Sequence, residues 1–221
     1  MTLAPLPTSP AAPDRGPRSE IRTEIYLVRH GQSIHNLQES IAGQLDSELT
    51  ETGFEDARAV ARAIGRSDFD AIYSSDLLRA RQTAAAIIKE LKLNCPVYYS
   101  QLLRELDYGE FTEKSVRSAF DFMNYKKVQG QAYPGGESFR DLEARINLFL
   151  AELLPRSPGK RLLVTAHAGS LRLAAMILDS RHNQEHLDRA YGNRFLGKAV
   201  LDSSGTLISY QVIQNPERDT H

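Results

Sequence analysis

A chain of 221 residues, 41% hydrophobic and 25% charged, has the make-up of an ordinary soluble globular protein and is long enough for one well-buried domain. A formal net charge of −1 excludes the broad basic footprint of a nucleic-acid binder and a polybasic membrane surface, and no apolar run approaches the ~20 residues of a membrane helix. Cys95 stands alone, so an intrachain disulfide is excluded and a reducing, cytoplasmic setting is expected.

Residues 1–22 are rich in Pro, Ala and Ser, lack the apolar core of a secretory signal, and read as a flexible leader. Asp14 and Glu20 interrupt what would otherwise be an acid-poor transit sequence. A single domain is therefore expected over residues 23–221. Ile25, Tyr26, Leu27 and Val28 predict a buried strand that stops at Arg29-His30-Gly31. Residues 32–49 are polar and irregular, with Gly43 as a turn point. Thr50 opens a helix in which Phe54, Ala57, Val60, Ala61 and Ile64 recur at i, i+3, i+4, ending near Gly65.

Residues 70–75 predict a second strand. Ser75 or Asp76 can then cap a helix through Leu77, Ala80, Ala84, Ile87, Ile88 and Leu91. Residues 96–103 predict a third strand leading to Arg104-Glu105. A helix over 114–128 is expected before the break at Pro134-Gly135-Gly136. Ser138 opens a helix with Phe139, Leu142, Ile146, Phe149, Leu150 and Leu153 on one face, closed by Pro155. Residues 161–167 predict a fourth strand, residues 171–178 a helix, and residues 198–213 a hairpin about Ser204-Gly205. The alternation predicts an α/β three-layer sandwich, with a mostly parallel central sheet and helices on both faces.

Each predicted strand finishes near a chemically loaded residue: Arg29-His30, then Arg79 one turn into a helix, then Glu105, then His167. In open α/β sheets ligands bind beyond the carboxyl ends of the strands. Two imidazoles, two guanidiniums and a carboxylate at one edge suit phosphoryl transfer. Guanidinium forks match phosphate oxygens, Gly31 allows close backbone approach, and a helix start near Gly169 points amides at an anion. A neutral imidazole can attack phosphorus, and Glu105 can protonate the leaving alkoxide. Taken singly, each residue also has a plain structural reading: a strand-end histidine, a solvated arginine, a carboxylate paired with Arg104.

The run Arg29-His30-Gly31-Gln32-Ser33-Ile34-His35-Asn36 resembles the RHG motif of the histidine phosphatase superfamily, the phosphoglycerate-mutase-like proteins. The similarity continues through Asp46-Ser47-Glu48-Leu49-Thr50-Glu51-Thr52-Gly53, then Ser74-Ser75-Asp76-Leu77-Leu78-Arg79 with Thr83-Ala84. Leu103-Arg104-Glu105 with Gly109, and Pro134-Gly135-Gly136-Glu137-Ser138, complete the series in order. The resemblance implies that fold, with His30 as phospho-accepting nucleophile and Arg29, Arg79 and His167 completing the phosphate pocket. It implies Glu105 as proton donor and then base, and Asn36 as a further phosphate contact. Gly31, Gln32, His35 and Ala168 complete the candidate phosphate and substrate contacts, His35 at the rim. No metal and no organic cofactor is implied, and the partner is a small phosphorylated substrate, with a homodimer possible through an edge strand of the tail.

Two departures from the family pattern stand out. Ala168 replaces the glycine that usually follows the second histidine, and residues 109–113 keep an aromatic but lose a later glycine. Residues 106–137 and 181–195 are expected to shape the pocket above the phosphate. Mutase relatives carry an arginine-rich insertion, whereas residues 106–137 hold only Arg117 with Lys114, Lys126 and Lys127, which favours phosphomonoester hydrolysis over mutase activity. A catalytically silent phosphate-binding module is the other alternative. His182-Asn183-Gln184-Glu185-His186 also fits the H-x-x-E-H zinc pattern, but so short a match arises easily, zinc would need a third protein ligand and an open position, and the run reads better as a solvated helix start.

Overall fold

A computed structural model describes residues 21–66, 68–117 and 131–214. Four parallel strands, β1 (Thr23–Arg29), β2 (Ala71–Ser75), β3 (Val97–Ser100) and β4 (Arg161–Ala166), are extended by the antiparallel pair β5 (Leu196–Leu201) and β6 (Leu207–Gln214). Their order is β3-β2-β4-β1-β5-β6. The apolar run of β1 is explained by burial on both faces. Ile25 and Leu27 join one core, while Tyr26 and Val28 join the other. Each fully buried Leu or Ile stabilises by roughly 2 kcal/mol over its exposed state.

The helices divide between those cores. After α1 (Ile34–Leu37), the long helices α2 (Glu51–Ile64) and α3 (Leu78–Leu91) cover one face; α4 (Phe139–Leu153) and α5 (Ala168–Leu178) cover the other. A short α6 (Asn183–Asp188) precedes β5. Adjacent β1 and β4 thus send their chains to opposite faces, β1 onward to α2 and β4 to α5. This is the switch point at which α/β sheets open a crevice. Arg29-His30 and His167 lie at its two lips.

Several boundaries differ from the sequence expectations, each for a local reason. β3 stops at Ser100, whose Oγ accepts from Leu102 N at 3.2 Å and turns the chain into a 3-10 turn over Gln101–Leu103. Helix α1 is too short for periodicity to register and is defined by its cap, Ser33 paired reciprocally with Asn36. Helix α5 starts at Ala168, three residues before the expected point. Ser75 and Asp76 do not cap α3 as expected: Asp76 is paired with Arg104, and Leu78 N donates instead to Asp46 Oδ1 at 2.8 Å. The expected 114–128 helix opens two residues late, at Val116, after Ser115 bridges Ser40; residues 118–128 lie outside the described residues, as does most of the leader. Among the described residues, no helix is long and apolar enough to cross a membrane.

Candidate active site

His30 follows directly on β1 and is 4% exposed. Its Nδ1 lies 2.8 Å from the carbonyl of Gly31, which can only accept, so Nδ1 carries the hydrogen and Nε2 the lone pair. Arg79 supplies a second constraint, because its Nε–H donates to that same Nε2 at 3.3 Å. Burial first, then the charges of Arg79 and Arg29, hold the His30 imidazole well below its ordinary range. The outcome is a neutral ring with its lone pair aimed at a cation.

Arg79, in the first turn of α3, is 2% exposed. It donates through its two terminal nitrogens to the carbonyls of Leu45 (2.8 Å) and Gly43 (2.7 Å). Burial lowers its pKa to about 10, opposed by Glu105 and Asp46, so it stays cationic at neutral pH. Three of its guanidinium N–H groups are thereby engaged, and two remain for an anion. Buried Arg29 donates to the carbonyl of Tyr191. His167 caps α5 with its ring 5.1 Å from that of His30, and its Nε2 meets Ser75 Oγ at 2.9 Å. His167 Nδ1 is buried with no hydrogen-bond partner among the described residues. Leaving such an atom unsatisfied costs about 1–3 kcal/mol, which a phosphate oxygen beside the His30 ring would recover.

Glu105 rests on the amino end of α5. Its Oε2 accepts from Gly169 N at 3.1 Å and its Oε1 from Leu106 N at 2.9 Å. A Cβ on residue 169 would stand 2.2 Å from Oε1, so any side chain there would push the Glu105 carboxylate from this position. The P-G-G-E-S segment acts one layer behind. Glu137 and Arg145 pair through two 2.7 Å bonds, and Arg145 donates on to the carbonyls of Leu102, Arg104 and Glu105. Glu137 also accepts from Asp107 N, and a Cβ on Gly136 would meet Asp107 O at 2.4 Å. This segment therefore clamps the Glu105 loop.

The remaining sequence candidates separate. Asn36 Oδ1 accepts from Ser33 N, Ser33 Oγ and Asn193 Nδ2, which turns its donor end away from that cluster. His35 is held at the rim by Ser47 Oγ, 2.9 Å from its Nδ1. Ala168 is the first residue of α5, so its amide has no acceptor within the helix. The backbone of Gly31 and the backbone and side-chain oxygen of Gln32 are bonded within the protein, so of these two residues the Gln32 side-chain N–H2 is the group left to face an anion. The Gly31 amide donates to Thr83 Oγ1, and a Cβ there would stand 2.1 Å from Gly53 O. Gln32 donates its amide to Asp56 and accepts from Thr50 Oγ1. The two motif glycines, Gly31 and Gly53, let the loop after β1 cross the start of α2 backbone to backbone. Thr50 caps α2 through Gly53 N, a bond worth about 1 kcal/mol.

His182 and His186 both bond to Asp179, and Glu185 pairs with Arg189. No cluster of three or more metal-type ligands forms among the described residues. Sequence reasoning passed over Ser75, Thr83, Tyr191, Asn193 and the Glu137–Arg145 pair as individual site residues. Ser75, Thr83 and Glu137 lie inside the motif blocks; Tyr191 and Asn193 lie in the 181–195 stretch expected near the pocket, but no motif singled them out.

Residues 25–208 match the histidine phosphatase superfamily (branch 1). A 2,3-bisphosphoglycerate-dependent phosphoglycerate mutase of Methylobacterium radiotolerans is 38% identical over 166 residues, spanning 70% of this chain and 78% of its own. Among solved structures, a mycobacterial glucosyl-3-phosphoglycerate phosphatase superposes with a TM-score of 0.71 at 26% identity, covering 86% of this chain and 97% of that one. A phosphoglycerate mutase of Bacillus anthracis shares the fold at a TM-score of 0.72 and 23% identity, covering 88% and 93%. This chain belongs to the histidine phosphatase superfamily.

Proposed function

We propose that the chain is a phosphomonoester hydrolase that forms a phosphohistidine at His30 and acts on a small phosphorylated metabolite. The observation that carries this reading is the neutral His30 ring, with its tautomer set by Gly31 O and its Nε2 lone pair facing Arg79. Nε2 attacks phosphorus and the bond to the leaving oxygen breaks, with Glu105 supplying the proton that oxygen needs. The Glu105 carboxylate then takes a proton from water, whose oxygen attacks phosphorus, and the P–N bond breaks to restore His30. The remaining N–H groups of Arg79, with the unpaired His167 Nδ1, suit the charge that builds on the phosphoryl oxygens.

Water as final acceptor is favoured by the cation-poor stretch 106–137, where Lys114 already lies 4.6 Å over the Phe111 ring. The mutase reading is favoured by the relatives that carry that name. Phosphate release from a phosphomonoester panel, and from 3-phosphoglycerate with and without 2,3-bisphosphoglycerate primer, separates the two. Primer-independent phosphate release is expected. Primer-dependent formation of 2-phosphoglycerate that outpaces phosphate release would establish the mutase instead. Hydrolysis of no panel member would leave a binding module.

A further inference from the structure

The ends of four strands supply His30, Arg79, Glu105 and His167, and a fifth stretch, just before β5, touches the loop that carries His30 at nearly every step. Tyr191 O accepts from the Arg29 guanidinium, and Phe195 O accepts from Arg29 N at 3.3 Å. Arg194 pairs with Asp56 Oδ1 at 2.6 Å, and the other oxygen of Asp56 receives Gln32 N. Between them, Asn193 Nδ2 donates to His30 O at 3.0 Å and to Asn36 Oδ1 at 3.2 Å.

We infer that Asn193 is the positioning residue for His30 and Asn36. The peptide unit joining His30 to Gly31 is held at both ends by side chains from distant parts of the chain. Its carbonyl receives Asn193 Nδ2, and its N–H donates to Thr83 Oγ1 at 3.1 Å, while Thr83 donates on to Arg79 O at 2.8 Å. With that plane fixed, the Gly31 carbonyl that selects the His30 tautomer has a defined direction. The carboxamide N–H2 has two hydrogens, and both are used. The second bond adds a third donor to Asn36 Oδ1, so a flipped Asn36 amide would set its own NH2 against all three. Asn193 thereby orients both the attacking ring and the amide beside it, without itself needing to touch substrate.

This inference rests on His30 being the nucleophile, so His30→Ala is measured alongside. Asn193→Ala is expected to lower kcat and the single-turnover rate of nitrophenolate release from p-nitrophenyl phosphate by about 10²-fold, as small misplacements of reacting groups do. KM is expected to change less than kcat, because Arg79, Arg29 and His167 keep their places and only the Asn36 contact is loosened. Asn193→Asp keeps the shape but exchanges donors for acceptors, facing the His30 carbonyl and Asn36 Oδ1 with a carboxylate. Its deficit against wild type should narrow as pH falls and the carboxyl regains an O–H donor. A purely structural role would lower thermal stability without that pH trend. Wild-type kcat in Asn193→Ala, or a pH-independent deficit in Asn193→Asp, overturns the positioning role. Activity surviving in His30→Ala overturns the nucleophile assignment itself, whatever the Asn193 variants do.

Discussion

His30 and His167 meet at the switch point with ring centroids 5.1 Å apart and with Arg79 and Arg29 as neighbours. His182 and His186 instead flank one carboxylate, Asp179, at 3.0 and 3.4 Å. Both pairs involve a deeply buried ring, yet their surroundings differ in sign. Beside guanidiniums, burial and charge act together against the imidazolium, and the Nε2 lone pair of His30 faces the Arg79 Nε–H. Beside Asp179, the ring nitrogens face an acceptor; burial still lowers the pKa of His186, but the carboxylate opposes it. A cavity of about 520 Å³ opens next to this second pair, lined by Asp179, His182, His186 and Tyr210 among others. Concavity alone therefore does not mark the chemistry. What distinguishes the pairs is the charge that faces the ring nitrogens, guanidinium at His30 and carboxylate at His182 and His186.

The largest expected effect breaks the comparison directly if it fails. His30→Ala should reduce kcat/KM on p-nitrophenyl phosphate by about 10⁴-fold or more, as loss of a nucleophile does, while His186→Ala leaves it within about threefold. The His186 change should instead cost about 1–3 kcal/mol of stability in denaturant titration, because Asp179 loses a buried partner. Equal activity losses would mean the pairs are not functionally distinct.

Glu105→Gln should come next. A loss of about 10²–10⁴-fold is expected on alkyl phosphates and a smaller one on p-nitrophenyl phosphate, whose leaving group needs no proton. Equal losses would remove the acid role.

The smallest effect is on stability against pH. Burial and the neighbouring guanidiniums hold both His30 and His167 well below the ordinary imidazole value of 6.5 in the folded chain, so the unfolded chain binds protons that the folded one excludes. Stability is then complete above 6.5 and declines as pH falls from there toward the folded values. His30→Ala should remove up to about 1.4 kcal/mol per pH unit of that decline. An unchanged slope would show that His30 is not held neutral by the fold.

The sheet and its long helices were legible because their signals are local. Val28 and its neighbours form an unbroken apolar run, and Ala57, Val60, Ala61 and Ile64 keep helical spacing. Pro134-Gly135-Gly136 and Gly65 mark real breaks, the latter as a left-handed cap at φ 62°. The expected hairpin is the β5–β6 pair. Less legible were the features whose partners lie far along the chain. Ser75 looks like a helix cap in sequence, but its Oγ is directed at His167, 92 positions away. Gly31 looks like an anion-approach glycine, yet its lack of a side chain is demanded by Gly53.

By itself, then, the order of residues determined which side chains arrive at strand ends, because strand and helix periods are written in neighbours a few positions apart. It also determined that Arg29, His30, Arg79, Glu105 and His167 could share an edge, since parallel strands bring their carboxyl ends together. Only the tertiary structure decided what each of them does there. The His30 tautomer is set by Gly31 O and Arg79, Glu105 is held by the start of α5, and the carbonyl of His30 receives Asn193. A hydrogen bond acts across about 3 Å of space whatever the separation along the chain, so these assignments exist only once the sheet has closed.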